Sequence, residues 1–165
     1  MGSHIRAGNI RLKRAYERPA ASDGPRLLVD RLWPRGVGKA AARIDRWIKE
    51  IAPTAGLRKW FGHDPEKWDE FRARYDRELD AHPEVWRPLL SASKRGRVTL
   101  VYSAHDTQHN NAVALLEYLR AKMSEPAAAE RAQQQARGRA RAAKLTAGER
   151  KPAKPAHRPR AARRP

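Results

Sequence analysis

The sequence predicts a small α/β domain, a mostly parallel sheet packed with helices, followed by a disordered basic C-terminal tail. Three observations lead there. Two apolar runs, Arg26 to about Trp33 and Arg97–Ala104, read as strands covered on both faces. Segments with helical spacing lie between and after them, which implies a crossover and a parallel pair. From Pro126 to Pro165 the only large apolar residue is Leu145, too little to build a core.

The elements follow in order. Asn9–Tyr16 alternates Ile10, Leu12 and Tyr16 with Arg11, Lys13 and Ala15, the period of a half-exposed first strand. Asp23-Gly24 gives the next loop its turn chemistry. The second strand begins at Arg26 with Leu27, Leu28, Val29 and Leu32 apolar, and Pro34 and Gly36 stop it. Ile44, Trp47, Ile48 and Ile51 fall at i, i+3, i+4 and i+7, which predicts a helix over about Ala40–Ile51. Gly56–Phe61 reads as a short helical turn closed by Gly62. Asp64-Pro65 is a helix start, with Trp68, Phe71, Tyr75 and Leu79 along one face. His82-Pro83 opens another helix, which Pro88 should kink or shorten. Val98 to Tyr102 is rich in strand-forming residues, and Ala112, Leu115, Leu116, Leu119 and Met123 mark a last helix. Residues 1–8 read as a disordered N-terminus or tag remnant, 9–123 as the domain and 124–165 as the tail.

Charge narrows the partners. The formal net charge is +18. Residues 1–123 hold 24 Lys/Arg against 15 Asp/Glu, and residues 124–165 hold 12 against 3, so the tail supplies half the excess. Such a tail attracts nucleic acid by counterion release, without reading sequence. There are no cysteines, which excludes disulfides and thiol nucleophiles and fits a cytoplasmic location. No apolar run approaches the roughly 18 residues of a membrane span, so no membrane partner is expected.

The chemistry is expected at the carboxyl ends of the two central strands, where ligands bind in open parallel sheets. One loop brings Arg31, Trp33 and Arg35; the other brings Ser103, His105, Asp106, His109, Asn110 and Asn111 at a helix start. Two arginines beside such a start make a phosphate or carboxylate pocket. The alternative is structural: Asp30 pairs with an arginine, and Asp106 or Thr107 caps the helix. His63, beside Asp64, and His109 are the candidate acid/base groups, although His63 also reads as an ordinary turn residue. The histidine spacing matches no ligand signature, so neither a metal nor a cofactor is assigned. Trp33 and Trp60 sit near loop ends, where they either stack a ring or join the core.

Leu28-Val-Asp-Arg-Leu-Trp-Pro-Arg-Gly36, Trp60-Phe-Gly-His-Asp-Pro65, Trp68-Asp-Glu-Phe71, Thr99-Leu-Val-Tyr102 and His109-Asn-Asn-Ala-Val113 resemble the YeaO-like family of bacterial proteins, number four hundred and eighty-eight of the domain-of-unknown-function series. The resemblance spans about Ile10–Leu119 and implies a small cytoplasmic α/β domain without supplying an activity. A related branch carries Cys-His-Arg where this chain has His109-Asn110-Asn111, so thiol chemistry does not transfer.

The expected function is therefore binding of an anionic ligand, a nucleotide or nucleic-acid phosphate, by Arg31, Trp33, Arg35, Trp60, Ser103, Asn110 and Asn111. The alternatives are a non-catalytic nucleic-acid-associated protein anchored by its tail, and a partner-binding module using Trp33 and Trp60.

Overall fold

The computed structural model describes residues 9–125 and residue 135, and the first of these spans lies within one compact unit, Met1–Pro126. The expectations for residues 1–8 lie outside the described residues, as do those for the tail except at residues 124, 125 and 135, which are helical.

Four parallel strands form one sheet in the order β1-β4-β2-β3. They are β1 (Ile10–Arg14), β2 (Arg26–Leu28), β3 (Arg46–Trp47) and β4 (Val98–Tyr102). The central pair is the expected one: β2 lies parallel to β4, with Leu27 opposite Leu100 and Leu28 opposite Val101. The pleat sends alternate residues to opposite faces. Leu27, Val29, Val98, Leu100 and Tyr102 enter the main core, whereas Leu28 and Val101 join Ala15 on the other face.

The main core is closed by α2 (Ala55–Phe61), α3 (Trp68–Ala81), α4 (Pro83–Arg95) and the helix of residues 111–125, here α5. Gly62 ends α2 in the left-handed region, as its place in the sequence predicts. The Asp64 carboxylate accepts from the Glu66 N–H and opens a short turn into α3. Tyr75, wholly buried, donates its hydroxyl to the Ile51 carbonyl at 2.6 Å.

The second face is covered differently from expectation. The helix over Ala40–Ile51 is reduced to α1 (Lys39–Ala42), which Arg43 ends with φ 46°. The chain then becomes the edge strand β3. Asp45 donates its N–H to the Arg26 carbonyl and Ile48 donates to Leu28, each at 2.9 Å. Ile44 and Trp47 pack on the Leu28–Val101 face, while Ile48 and Ile51 enter the main core. These four residues therefore divide between the two faces of the sheet and do not form one helical stripe.

Three smaller boundaries also differ. β1 is Ile10–Arg14, and Tyr16 beyond it is exposed. β2 ends at Leu28, although Val29 still donates to the Val101 carbonyl. Leu32, expected inside, is 70% exposed on the loop that follows. At the other end of β2, Arg26 is buried and its Nη1 lies 2.6 Å from Asp23. Lys13 of β1 meets the same carboxylate at 3.2 Å, so a polar cluster fills the part of this face that apolar side chains leave open.

Candidate functional site

The parallel pair delivers two loops to one place. One residue past Val29, the Asp30 carboxylate accepts the Ser103 N–H at 2.8 Å and the Ser103 hydroxyl at 2.5 Å. Asn111, at the start of α5, donates from Nδ2 to the other Asp30 oxygen at 3.2 Å and to the Val29 carbonyl at 3.1 Å. The ends of β2 and β4 and the first turn of α5 are thus tied together through Asp30. The structural expectation for Asp30, an ion pair with arginine, is corrected: among the described residues the partners of its carboxylate are a serine and an asparagine.

Beside this knot lies a cavity of about 460 Å³, lined by Tyr16, Asp30, Arg31, Leu32, Trp33, Arg35, Arg58, Phe61, His63, Phe71, Ser103 and Asn111, with Ala52, Pro53 and Ala104. Its volume falls in the roughly 300–1,000 Å³ range of small-molecule sites. Arg31 and Arg35 are exposed side chains on the β2 loop. Arg31 reaches the Lys49 carbonyl at 3.4 Å, and the Arg35 carbonyl accepts the Tyr16 hydroxyl at 3.2 Å. Phe61 and Phe71 stack with centroids 4.2 Å apart and form an apolar wall.

The far wall is carried by α2. Thr54 caps this helix by accepting the Leu57 N–H, and Glu78 of α3 holds Thr54 through its N–H at 2.9 Å and its hydroxyl at 2.6 Å. That brace fixes where Arg58 and Phe61 point. The Arg58 Nε is buried and has no hydrogen-bond partner among the described residues. Gly62 and His63 follow with φ 54° and 58°, and two successive left-handed residues turn the His63 ring toward the cavity. Histidine accepts this region more readily than most residues.

Of the residues expected at the site, Arg31, Trp33, Arg35, His63, Ser103 and Asn111 line the cavity, whereas Trp60, His109 and Asn110 do not. Trp60 packs on the other side of α2, with the Arg74 guanidinium 4.2 Å above its ring. Asn110 is fully buried and is the cap of α5: its side-chain oxygen accepts the Val113 N–H, and its Nδ2 donates to the Asp106 carbonyl.

His109 sits edge-on to Trp68, with Nδ1 2.9 Å from Asp106. Asp106 also takes the N–H groups of Gln108 and His109, and these bonds hold its carboxyl down at about 2. The turn before α5 is thus supplied with an anion by the chain itself. Trp33 donates to the Val37 carbonyl and meets Trp47 edge-on at 5.4 Å, so it is part wall and part core. Among the described residues the exposed large apolar side chains are Tyr16 and Leu32, not Trp33 or Trp60.

Arg58 and the aromatic wall escaped the sequence reading. The available signal was Arg58 three residues before Phe61, one helical turn from a buried neighbour.

Residues 9–137 match a family described as the inactive DUF488-N3 subclade. The chain belongs to this family. YeaO of Escherichia coli K12, an uncharacterized protein, is 43% identical over 112 residues, which is 68% of this chain and 97% of that protein. The uncharacterized proteins Rv3073c of Mycobacterium tuberculosis H37Rv and Mb3100c of Mycobacterium bovis are each 36% identical over 115 residues, or 70% of this chain and 97% of theirs. No solved structure matches. This DUF488-N3 member has a match that runs beyond the last helix of the described region, to residue 137. Among its described residues, no helix is long and apolar enough to cross a membrane.

Proposed function

We propose that this chain binds a small anionic ligand, a nucleotide or nucleic-acid phosphate, in the cavity at the ends of β2 and β4, in the cytoplasm and without turnover. The observation that supports this most is the charge balance of the lining. Arg31, Arg35 and Arg58 face one acid, Asp30, which is already engaged by three internal donors. Guanidinium groups suit phosphate and carboxylate because their N–H donors form a planar fork. An apolar wall beside them strengthens such contacts by excluding water.

Binding without chemistry is favoured by three things: the description of the family as an inactive subclade, the absence of cysteine, and the seclusion of His109 from the cavity. His63 is the histidine placed to act if a reaction occurs. The test is calorimetric titration of the full chain with inorganic phosphate and nucleotides, repeated with Arg58→Ala and Arg35→Ala. Each substitution should weaken binding at least tenfold with the circular dichroism spectrum unchanged. A chain that binds none of these anions would overturn the proposal.

The charge of residues 124–165 favours a second reading, attachment to nucleic acid. Labelled duplex and single-stranded DNA should bind the full chain with a steep salt dependence and residues 1–123 far more weakly. Equal binding by the two would rule out the tail as the anchor.

A further inference from the structure

We infer that Asp30 selects the ligand: the cavity takes a nucleoside monophosphate, whose phosphate meets the arginines while one N–H or O–H of the same molecule donates to Asp30. This rests on the anion-binding reading above and goes beyond it.

A cavity built for a bare anion gains nothing from a carboxylate in its lining, because like charge repels the ligand. Yet Asp30 lines this one together with Arg31, Arg35 and Arg58. If Asp30 served only as an internal brace, its acceptor capacity would be spent inside the protein. A carboxylate offers about four acceptor sites. Ser103 N–H and Oγ take two on Oδ2, and Asn111 Nδ2 takes one on Oδ1. No cation of the described residues forms an ion pair with Asp30, so Oδ1 keeps one acceptor site on a side chain that borders the cavity.

The three internal donors fix the orientation of that site before any ligand arrives. Two come from the end of β4 and one from the first turn of α5, both parts of the packed core. A preorganised acceptor discriminates well: a ligand without a donor leaves it desolvated and unpaired.

The rest of the lining matches the remaining parts of a nucleotide. Tyr16 and Trp33 offer aromatic surface for a flat base, and the arginines offer donors for a phosphate. The volume of about 460 Å³ exceeds what inorganic phosphate needs. An anion clamp, the aromatic rings of Tyr16 and Trp33 and one oriented acceptor together fit a nucleotide better than an anion alone.

The experiment titrates the full chain and its Asp30→Asn variant with guanosine 5′-monophosphate and with inorganic phosphate. The unaltered chain should prefer the nucleotide by tenfold or more. Asp30→Asn should bind phosphate more tightly, because a like charge is gone, and the nucleotide more weakly. The preference should fall about tenfold, the scale of one hydrogen bond to a charged group. A brace without a ligand role would shift both affinities in the same direction and leave the ratio intact, which overturns the inference.

If Asp30→Asn does not fold, the unaltered chain still decides. Analogues lacking the 2-amine, methylated at N1 or lacking the sugar hydroxyls should include one that loses about tenfold, and equal binding of all of them overturns the inference. Phosphate bound as tightly as the nucleotide would sink this inference and leave the anion reading standing. Failure of both to bind would sink both.

Discussion

The hydroxyl and the backbone N–H of Ser103 both point at one oxygen of Asp30, at 2.5 and 2.8 Å. The contact spans 73 residues of sequence and ties the ends of two neighbouring parallel strands. Hydrogen bonds to charged groups contribute about 1.5–3 kcal/mol. Ser103→Ala should therefore lower the unfolding free energy by that amount in a urea titration, with the fold retained because the N–H bond survives. A loss below about 0.5 kcal/mol would mean that water replaces the hydroxyl without cost.

Arg26, at the start of β2, and Arg35, on the loop past its other end, should respond in different ways. Arg26 is buried against Asp23, which also meets Lys13 and the Ala20 N–H. Burial pushes the Asp23 carboxyl up, but the bonds from Ala20, Lys13 and Arg26 pull it down, and the net position is below the ordinary value. Removing one partner of a buried pair costs about 3–5 kcal/mol, so Arg26→Ala should unfold well below the parent temperature. Arg35 is exposed and has no ion pair among the described residues. Arg35→Ala should stay within about 0.5 kcal/mol of the parent while losing anion affinity. Thermal melts beside phosphate titrations separate the two effects, and a destabilised Arg35→Ala would mark that residue as structural.

Asp106 gives a pH dependence with a defined sign. The Gln108 and His109 N–H groups and the His109 ring hold its carboxyl at about 2, below the ordinary value of 3.8. Between those values the unfolded chain binds the extra proton, so stability rises with pH across the window. Its contribution is complete above about pH 4 and is lost as pH falls through 2. Asp106→Asn keeps a capping oxygen but removes the titration. Its unfolding midpoint in denaturant should change less between pH 4 and pH 2 than that of the parent. An identical slope would show that other carboxyl groups govern acid unfolding.

How much of this was legible depends on whether a feature is local. The β2–β4 pairing could be read because Val98–Tyr102 is a strong strand and helices lie between the two runs. That pairing alone placed Arg31, Trp33, Arg35, Ser103 and Asn111 at one end of the sheet. β3 was not legible, because Ile44, Trp47, Ile48 and Ile51 satisfy the helical period. What separates them is Ile48 bonding to Leu28 across the sheet edge, a partner the local pattern does not contain. Arg58 was not legible for a similar reason. On a seven-residue helix, the brace from Glu78 to Thr54 decides which side faces the cavity. Asn110 stands beside Asn111 in sequence but turns inward to cap α5, so neighbours in sequence part company at a helix start.

Gly24 and Gly36 offer a matched comparison of backbone strain with and without crowding. Their φ values are 65° and 75°, a region that side-chain-bearing residues adopt at a cost of about 1–2 kcal/mol. A Cβ on Gly36 would meet nothing within 4 Å, so Gly36→Ala should cost about that much and no more. Gly24 also has ψ −159°, a combination reached essentially by glycine alone. A Cβ there would stand 2.2 Å from the Arg97 carbonyl oxygen, which is backbone at the entry to β4. Relief requires moving the start of β2 away from β4, where the Pro25 carbonyl accepts the Thr99 N–H at 2.9 Å. Gly24→Ala should therefore lose more than about 3 kcal/mol in urea unfolding, beyond the strain of φ alone. Equal losses at the two positions would show that the strand entry yields easily and that crowding at Arg97 adds nothing.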